Sequence, residues 1–278
     1  MIKRKQIAGM NQNYRQYSYD YFLESQAMAG YQSVELWLGA PHFWVDSCSW
    51  SDCKTIRQKT NAVGLAIVAA TTPSGGAFQY QYGAQESFHR ERSIDYFSNG
   101  VRLTAELGAK IMTINSGWGY WNDKYDTTFA RSAEIINAVA EVAQTEGVML
   151  ALESLTGDET RTGYTIDQIK SLVAVVDSPS LYLMVDIVAT GYSKEKSQQW
   201  FDAFGEKVIH YHFQDGDVTN PSAEHYVWGD GEFKLEEEMK CLIHNDYRGY
   251  LTQEICGSSD PRKDDIRNMR VLSRFLED

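Results

Sequence analysis

The chain has 278 residues, of which 43% are hydrophobic and 23% charged, a composition typical of a globular protein that can bury a large core. Its formal net charge of −12 disfavours a nucleic-acid partner, because phosphate backbones repel an acidic surface. No run of about 18 apolar residues occurs and none follows the basic start, so we expect neither a membrane-spanning segment nor a signal peptide.

Eight short apolar runs alternate with longer amphipathic stretches along the chain. Their near-continuous apolar character is typical of parallel strands buried on both faces. The predicted strands are Gln6–Met10, Val34–Leu38, Leu65–Ala70, Lys110–Asn115, Val148–Glu153, Leu181–Asp186, Val208–Phe213 and Tyr250–Ile255. The predicted helices are Ser18–Ala29, Arg90–Leu107, Thr127–Glu146, Thr165–Val176, Phe233–Asn245 and Pro261–Leu276, with weaker ones near Gly64 and over Gln198–Phe204.

The alternation of strand and helix predicts βαβ units and therefore a parallel sheet. Eight units average about 35 residues each, which suits a closed (β/α)8 TIM barrel. A doubly wound open sheet is less favoured because no GxGxxG motif follows the first strand. No linker rich in Pro, Gly or Ser divides the chain, so residues 1–278 are predicted to form a single domain. The four cysteines lack CxxC spacing, and we expect reduced thiols in the cytoplasm.

Metal-binding residue types stand at the carboxyl ends of the last four predicted strands. Strand five, VMLALE, ends at Glu153, and strand six, LYLMVD, ends at Asp186. Strand seven, VIHYHFQD, carries His212, and strand eight, YLTQEI, carries Glu254. Because barrel enzymes place their sites at these strand ends, the four side chains are predicted to meet at one rim.

A single carboxylate after a strand is more often a helix cap or a solvated loop residue than a ligand. Three carboxylates that face one another repel, however, and their ionised forms are costly without a cation. Three carboxylates and one imidazole suit Mn²⁺, Co²⁺, Zn²⁺ or Mg²⁺ better than a thiolate-rich structural zinc site. The pattern therefore indicates one divalent metal ion, with structural carboxylates as the alternative.

Strand seven carries a second histidine, His210. Its side chain points the same way as that of His212, because side chains alternate along a strand. His212 lies nearer the rim and is the better ligand. His210 is interpreted as a satisfied histidine inside the barrel, with support of the metal ligands as the alternative.

The strand ends resemble those of the xylose isomerase-like TIM barrel superfamily of sugar isomerases and epimerases. The pattern runs from Val148 to Ile255 as LALE, MVDI, HYHFQD, GDGEF and GYLTQEI. Within that superfamily, the phrases VELWLGAPHFW, ALESLTGDET, SPSLYLMVDI and HYVWGDGEFKLEEE are most similar to the fructoselysine 3-epimerase group of ketose 3-epimerases. The resemblance covers nearly the whole chain and is strongest from Gly147 onward.

The resemblance implies that Glu153, Asp186, His212 and Glu254 hold the metal and that Glu153 and Glu254 also act as acid and base. It implies epimerisation at C3 of a ketose or a ketosamine such as fructoselysine. The C3 proton would be removed and returned through a cis-enediolate, which a divalent cation stabilises. Glu159 matches a family position that contacts the sugar near its carbonyl end.

One position departs from the better-known members of the group. Tagatose- and psicose-type epimerases have a His three residues after the metal Asp, where it meets the sugar. This chain has Ala189 at that position. The departure puts a preference for free hexuloses in doubt and fits the fructoselysine-type members, which also lack that His.

Four further side chains near the predicted barrel mouth are candidates for substrate contact: Trp37, His42, Trp118 and His225. Aromatic rings there could stack on a sugar, or could instead pack against helices or form a subunit contact. The resemblance also implies that the loop carrying His225 closes over the site. It further implies a homo-oligomer acting on a small-molecule sugar or sugar-amine.

Three other functions remain open. An aldose–ketose or sugar-acid isomerase would use nearly the same residues, and the fold does not decide between these reactions. An endonuclease IV-like nuclease would need more histidines for a three-metal cluster and a basic surface, whereas this chain has six His and a charge of −12. A non-catalytic sugar binder would need no acid–base pair.

Overall fold

The computed structural model describes residues 1–46, 50–74, 80–217, 219–220, 225–257 and 259–278, without the side chains of Trp50 and Ser51. Eight parallel strands close into a barrel, each paired with its neighbours in chain order. They are β1 Ile7–Met10, β2 Ser33–Trp37, β3 Ala66–Thr71, β4 Ile111–Asn115, β5 Met149–Glu153, β6 Leu181–Asp186, β7 Val208–His212 and β8 Tyr250–Gln253. The predicted (β/α)8 barrel and its eight strand positions are confirmed.

Helices cover the outside of the barrel. They are α1 Tyr19–Ala29, α2 Trp50–Ala62, α3 Ser87–Glu106, α4 Tyr125–Glu146, α5 Ile166–Val176, α6 Ile187–Tyr192, α7 Ser197–Phe204, α8 Leu235–His244 and α9 Pro261–Leu272. Ser18 caps α1 by accepting a hydrogen bond from the backbone N–H of Tyr21, and Gly30 ends that helix with a φ of 91°, which glycine adopts without strain. No helix among the described residues combines the length and apolar character needed to cross a membrane.

Two of the differences from the predicted helices have identifiable reasons. The last helix was predicted to reach Leu276, but α9 ends at Leu272. Leu276 instead begins a two-residue strand that pairs with Ile2–Lys3 and brings the two ends of the chain together. The short helix α6 was not predicted; it begins directly after β6 because the carboxylate of Asp186 accepts a hydrogen bond from the backbone N–H of Ala189.

The barrel interior is apolar at its lower end and polar beneath and at the carboxyl ends of the strands. A cluster of buried residues fills part of the interior: Ala69, Ile111, Ala151 and Met184. A larger apolar core lies between the barrel and its helices. Because apolar side chains close the interior from below, the polar residues at the carboxyl ends of the strands face an opening on one side only.

Candidate metal centre and active site

Four side chains from successive strands converge at the carboxyl end of the barrel. The rim cluster consists of Glu153, Asp186, His212 and Glu254, each offering one ligand atom within 4.8 Å of the others. From Nδ1 of His212, the distances are 2.8 Å to Oε1 of Glu153 and 3.0 Å to Oε2 of Glu254. Asp186 Oδ2 lies 3.8 Å from the same nitrogen. The structure therefore brings together the four residues that the sequence nominated as ligands.

Strand register explains this convergence. Asp186 and His212 lie opposite each other in the β6–β7 ladder. His212 also lies opposite Thr252 of β8, so Glu254 follows two residues beyond, just past the end of that strand. Glu153 is the last residue of β5. Parallel strands of a barrel end at the same rim, and each strand thus delivers one of these side chains to nearly the same height.

The rim cluster fits a divalent cation. His212 is 1% exposed, yet among the described residues neither of its ring nitrogens makes a hydrogen bond, although three carboxylates surround Nδ1. Ligand bonds of about 2.0–2.2 Å place neighbouring ligand atoms roughly 3 Å apart, and the three carboxylates here lie 2.8–3.8 Å from Nδ1 of His212. A buried imidazole nitrogen without a hydrogen-bond partner, facing three acidic groups, is the donor set that a cation satisfies.

The glutamates of the rim cluster differ in their electrostatic surroundings. Burial raises the pKa of Glu153, with the charges of Glu254 and Asp186 acting in the same direction. Burial also opposes ionisation of Glu254, but the charges of His212 and His225 outweigh it and lower the pKa of Glu254. The pKa values of the two glutamates are therefore shifted in opposite directions.

His225 lies beside Glu254, on the loop that follows β7. Its Nδ1 is 3.1 Å from Oε2 of Glu254 and 2.9 Å from the backbone oxygen of the same residue. Burial opposes its protonation, but the charge of Glu254 prevails and raises the pKa of His225 to about 10. The structure thus places this predicted substrate contact at the rim, as a positively charged neighbour of one glutamate.

A second acidic group, Glu35, lies beneath the rim and was missed by the sequence reasoning. Its side chain is fully buried on β2, with Oε2 located 2.7 Å from Nε2 of His210. Glu35, His210 and His212 also bring ligand-type atoms within 4.8 Å of one another. This contact accounts for Nε2 of His210, whereas its Nδ1 has no hydrogen-bond partner among the described residues, so the interpretation of His210 as a satisfied barrel histidine holds for one of its two nitrogens. Glu35 stands inside the apolar run VELW, where an acidic residue is itself an unusual signal.

A cavity of about 350 Å³, called the mouth cavity below, opens above the rim cluster. Trp37, Glu159 and His225 line it, as the sequence suggested, together with Gln12 and Arg15, which were not nominated. The Arg15 guanidinium lies 5.7 Å from the centre of the Trp37 ring. The carboxylate of Glu159 accepts hydrogen bonds at 3.0 Å from the backbone N–H and the hydroxyl of Thr156.

Asn11 holds Trp37 in place at the mouth. Its side-chain oxygen accepts a hydrogen bond from the Trp37 backbone N–H at 2.7 Å, and its side-chain nitrogen donates to the Trp37 backbone oxygen at 3.0 Å. A side chain at Gly39 would meet the Trp37 ring at 2.2 Å, so only glycine fits there. Asn11 follows the first strand directly, and that position was the one available signal for it.

His42 does not reach the mouth cavity. Its ring lies 3.1 Å from Nδ2 of Asn11 and 2.7 Å from the backbone oxygen of Tyr17, and it lines a separate cavity with Tyr19. These two contacts hold the ring away from the rim cluster. The predicted substrate contact of His42 is therefore not supported by its position.

Trp118 does not line the mouth cavity. It lines a side cavity of about 380 Å³ together with Trp121, Asp158 and Glu159. Because Glu159 also lines the mouth cavity, the two spaces are adjacent. Trp118 therefore contacts an extension of the site rather than the space directly above the rim cluster.

Comparisons with known proteins agree with this architecture. A family model described as xylose isomerase-like TIM barrel matches residues 23–275. A fructoselysine 3-epimerase of Shigella flexneri is 28% identical over 248 residues, which cover 88% of each chain. The structure of 3-keto-D-glucoside 4-epimerase from E. coli matches with a TM-score of 0.80 at 15% identity, over 97% of this chain and 99% of that chain. A D-psicose 3-epimerase matches with a TM-score of 0.79 at 18% identity, over 97% and 98%. At these identities the two structural matches bear on the fold.

Proposed function

The chain belongs to the xylose isomerase-like TIM barrel family, and we propose that it is an isomerase-type enzyme that inverts C3 of a ketose or ketosamine with the help of one divalent metal ion. The observation that carries the proposal is the rim cluster, in which two glutamates flank a buried imidazole whose nitrogens lack hydrogen-bond partners among the described residues. The similarity to a fructoselysine 3-epimerase over most of both chains supports the same reaction.

The metal ligands in this proposal are Glu153, Asp186, His212 and Glu254. Three carboxylates and one imidazole suit Mn²⁺, Co²⁺, Zn²⁺ or Mg²⁺. When bound, such an ion supplies Lewis acidity that makes the proton beside a sugar carbonyl easier to remove. Asp186 is the ligand held most firmly by the protein, because Ala189 and Gln214 both donate hydrogen bonds to it, at 2.8 Å and 2.9 Å.

Glu153 and Glu254 are the proposed acid–base pair. Inverting a carbon requires one group to remove a proton from one face and another group to return a proton to the opposite face. The two carboxylates come from different strands and both approach His212 Nδ1, at 2.8 Å and 3.0 Å. Their pKa values shift in opposite directions, which supports one ionised and one protonated member. The two roles exchange when the reaction runs in reverse.

The side cavity supports a substrate with an amine-bearing extension. Two indole rings and two carboxylates line it, and this combination suits an ammonium group through cation–π and ionic attraction. The nearby cation Arg161 already donates hydrogen bonds to the backbone oxygens of Trp121 and Asp123. A ketosamine could therefore place its sugar above the rim cluster and its amino-acid portion beside Trp118. Small molecules, rather than nucleic acids, are the proposed partners of this acidic chain.

The deciding experiment measures solvent deuterium incorporation by NMR. Fructoselysine and then free ketohexoses are incubated in D₂O with the protein and Mn²⁺ or Co²⁺, and again with a chelator. Exchange confined to C3 that requires metal is the expected result, and the faster substrate identifies the class. No exchange with any ketose would overturn the epimerase proposal.

An aldose–ketose isomerase is the second candidate, because it would use the same ligands and the same pair of glutamates to move a proton between C1 and C2. The same experiment separates the two reactions, since deuterium at C1 would indicate isomerisation. A sugar binder without catalysis would retain its affinity in both Glu153→Gln and Glu254→Gln, and it would catalyse no exchange in any form.

A further inference from the structure

The polar groups beneath the rim form a closed network across the barrel interior. This interior cluster consists of Glu35, Thr71, Thr113, His210 and Thr252. His210 Nε2 lies 2.7 Å from Oε2 of Glu35 and 3.1 Å from the hydroxyl of Thr252. The other oxygen, Oε1, accepts hydrogen bonds from Thr71 and, at 3.4 Å, from Thr113. A fully buried carboxylate with several partners is fixed in both position and orientation.

Glu35 faces the side of the His212 ring that is opposite to the rim. Its Oε1 lies 3.5 Å from His212 Nε2, whereas the rim carboxylates surround Nδ1 at 2.8–3.8 Å. His212 therefore lies between one interior carboxylate and three rim carboxylates. When a cation takes the lone pair of Nδ1, the single proton of the neutral imidazole lies on Nε2, and Oε1 of Glu35 is the carboxylate oxygen that faces it.

We propose that Glu35 is a positioning residue for the metal centre: it keeps the proton of His212 on Nε2 and so presents Nδ1 to the cation. His210, Thr71 and Thr113 hold Glu35 in the orientation that this task requires. A carboxylate on the distal nitrogen of a ligating histidine also makes that histidine a better donor to a metal. This inference rests on the proposed metal site.

A separate metal site in the interior cluster explains the contacts less well. Both oxygens of Glu35 already have hydrogen-bond partners, and His210 Nε2 is shared between Glu35 and Thr252. Glu35 does not line the mouth cavity. It therefore acts on the reaction through His212 rather than by touching a substrate.

The test is the affinity for Mn²⁺ alone, measured by EPR of the free ion during titration of the whole chain. Glu35→Gln keeps the shape of the side chain but removes its charge, and we expect Mn²⁺ to bind about 10- to 100-fold more weakly. Thr71→Val, which removes one hydrogen bond to Glu35 but leaves its charge, should weaken binding by a few fold. This second variant keeps the test decisive if Glu35→Gln does not fold.

Asp265→Asn is the matched control, because it makes the same carboxylate-to-amide change at a buried site whose hydrogen-bond partners are Tyr14 and Gln26. Its Mn²⁺ affinity should equal that of the wild type. Wild-type affinity in folded Glu35→Gln or, if that variant does not fold, in Thr71→Val would overturn the role of Glu35 and leave the metal proposal standing. Absence of Mn²⁺ binding by the wild type, or unchanged binding in His212→Ala, would overturn the metal site and this inference with it.

Discussion

Carboxylates that follow the strands of this barrel are satisfied in two opposite ways. Asp215, three residues after the end of β7, accepts hydrogen bonds at 2.9–3.0 Å from the backbone N–H groups of Gly216, Gly229, Gly231 and Phe233. The rim glutamates receive no backbone N–H donor from the part of the chain that the structure describes. They face one another across His212 instead.

This contrast separates a carboxylate that backbone groups of the protein satisfy from two that they do not. Four backbone donors stabilise the charge of Asp215 and fix the loop that carries His225 and Trp228. Glu153 and Glu254 have only imidazole neighbours, and their charge is balanced fully only by a cation. Both kinds of carboxylate lie at or just after the end of a strand, so hydrogen-bond partners, rather than position in the sequence, distinguish them.

The largest expected effect is the loss of turnover when either rim glutamate becomes neutral. Glu153→Gln and Glu254→Gln should each lower kcat/KM for C3 epimerisation by about 10²–10⁴-fold, the usual size of an acid–base contribution. Both variants should remain folded, because Gln keeps the size and shape of the Glu side chain. Glu206→Gln, an exposed glutamate just before β7, is the control and should keep full activity. Wild-type turnover in either rim variant would show that the substituted glutamate is not needed for the reaction.

Asp215→Ala should lower the stability of the protein and leave its metal affinity nearly unchanged. Four backbone N–H groups would lose their acceptor, and we expect the free energy of unfolding to fall by about 3 kcal/mol in urea titrations. Mn²⁺ affinity should change by no more than a few fold, because Asp215 is not among the ligand-type atoms of the rim cluster. A loss of Mn²⁺ affinity as large as that of Asp186→Asn would show that the two kinds of carboxylate are not distinct.

Metal should stabilise the folded protein through the rim cluster alone. At a free Mn²⁺ concentration about 100 times Kd, linkage gives roughly 2.7 kcal/mol, and thermal melting should shift upward by several degrees. A chelator should reverse the shift, and Asp186→Asn should abolish it. A shift that persists in Asp186→Asn would place the ion elsewhere.

Asp265 gives an intermediate case with the smallest expected effect. It is buried between α1 and α9 and accepts hydrogen bonds of 2.5 Å from Tyr14 and Gln26, with no cation. Burial raises its pKa to about 7, so the stabilising protonated form is complete below about pH 4 and is lost as pH rises through 7. Relative to the wild type, Asp265→Asn should gain stability as pH rises from 4 to 8. Parallel stability profiles for the two proteins would contradict the raised pKa.

The sequence by itself was enough to predict the barrel and the four residues of the rim cluster. Alternating apolar runs and amphipathic stretches predict βαβ units, and parallel strands must end at a common rim. The position of a strand-end residue at that rim therefore follows from the spacing of the strands along the chain. Glu153 and Asp186 were nominated on that basis, and the register of the ladders places them beside His212.

Only the tertiary structure decided what each polar side chain faces. Glu35 lies in an apolar run, and its partner His210 is 175 residues away, so closure of the barrel was needed to join them. Asp215 and His42 carry the residue types of an active site, yet backbone donors hold the first and Asn11 and Tyr17 hold the second. Local periodicity fixes where a strand ends, whereas hydrogen-bond partners depend on distant segments that meet only when the sheet closes.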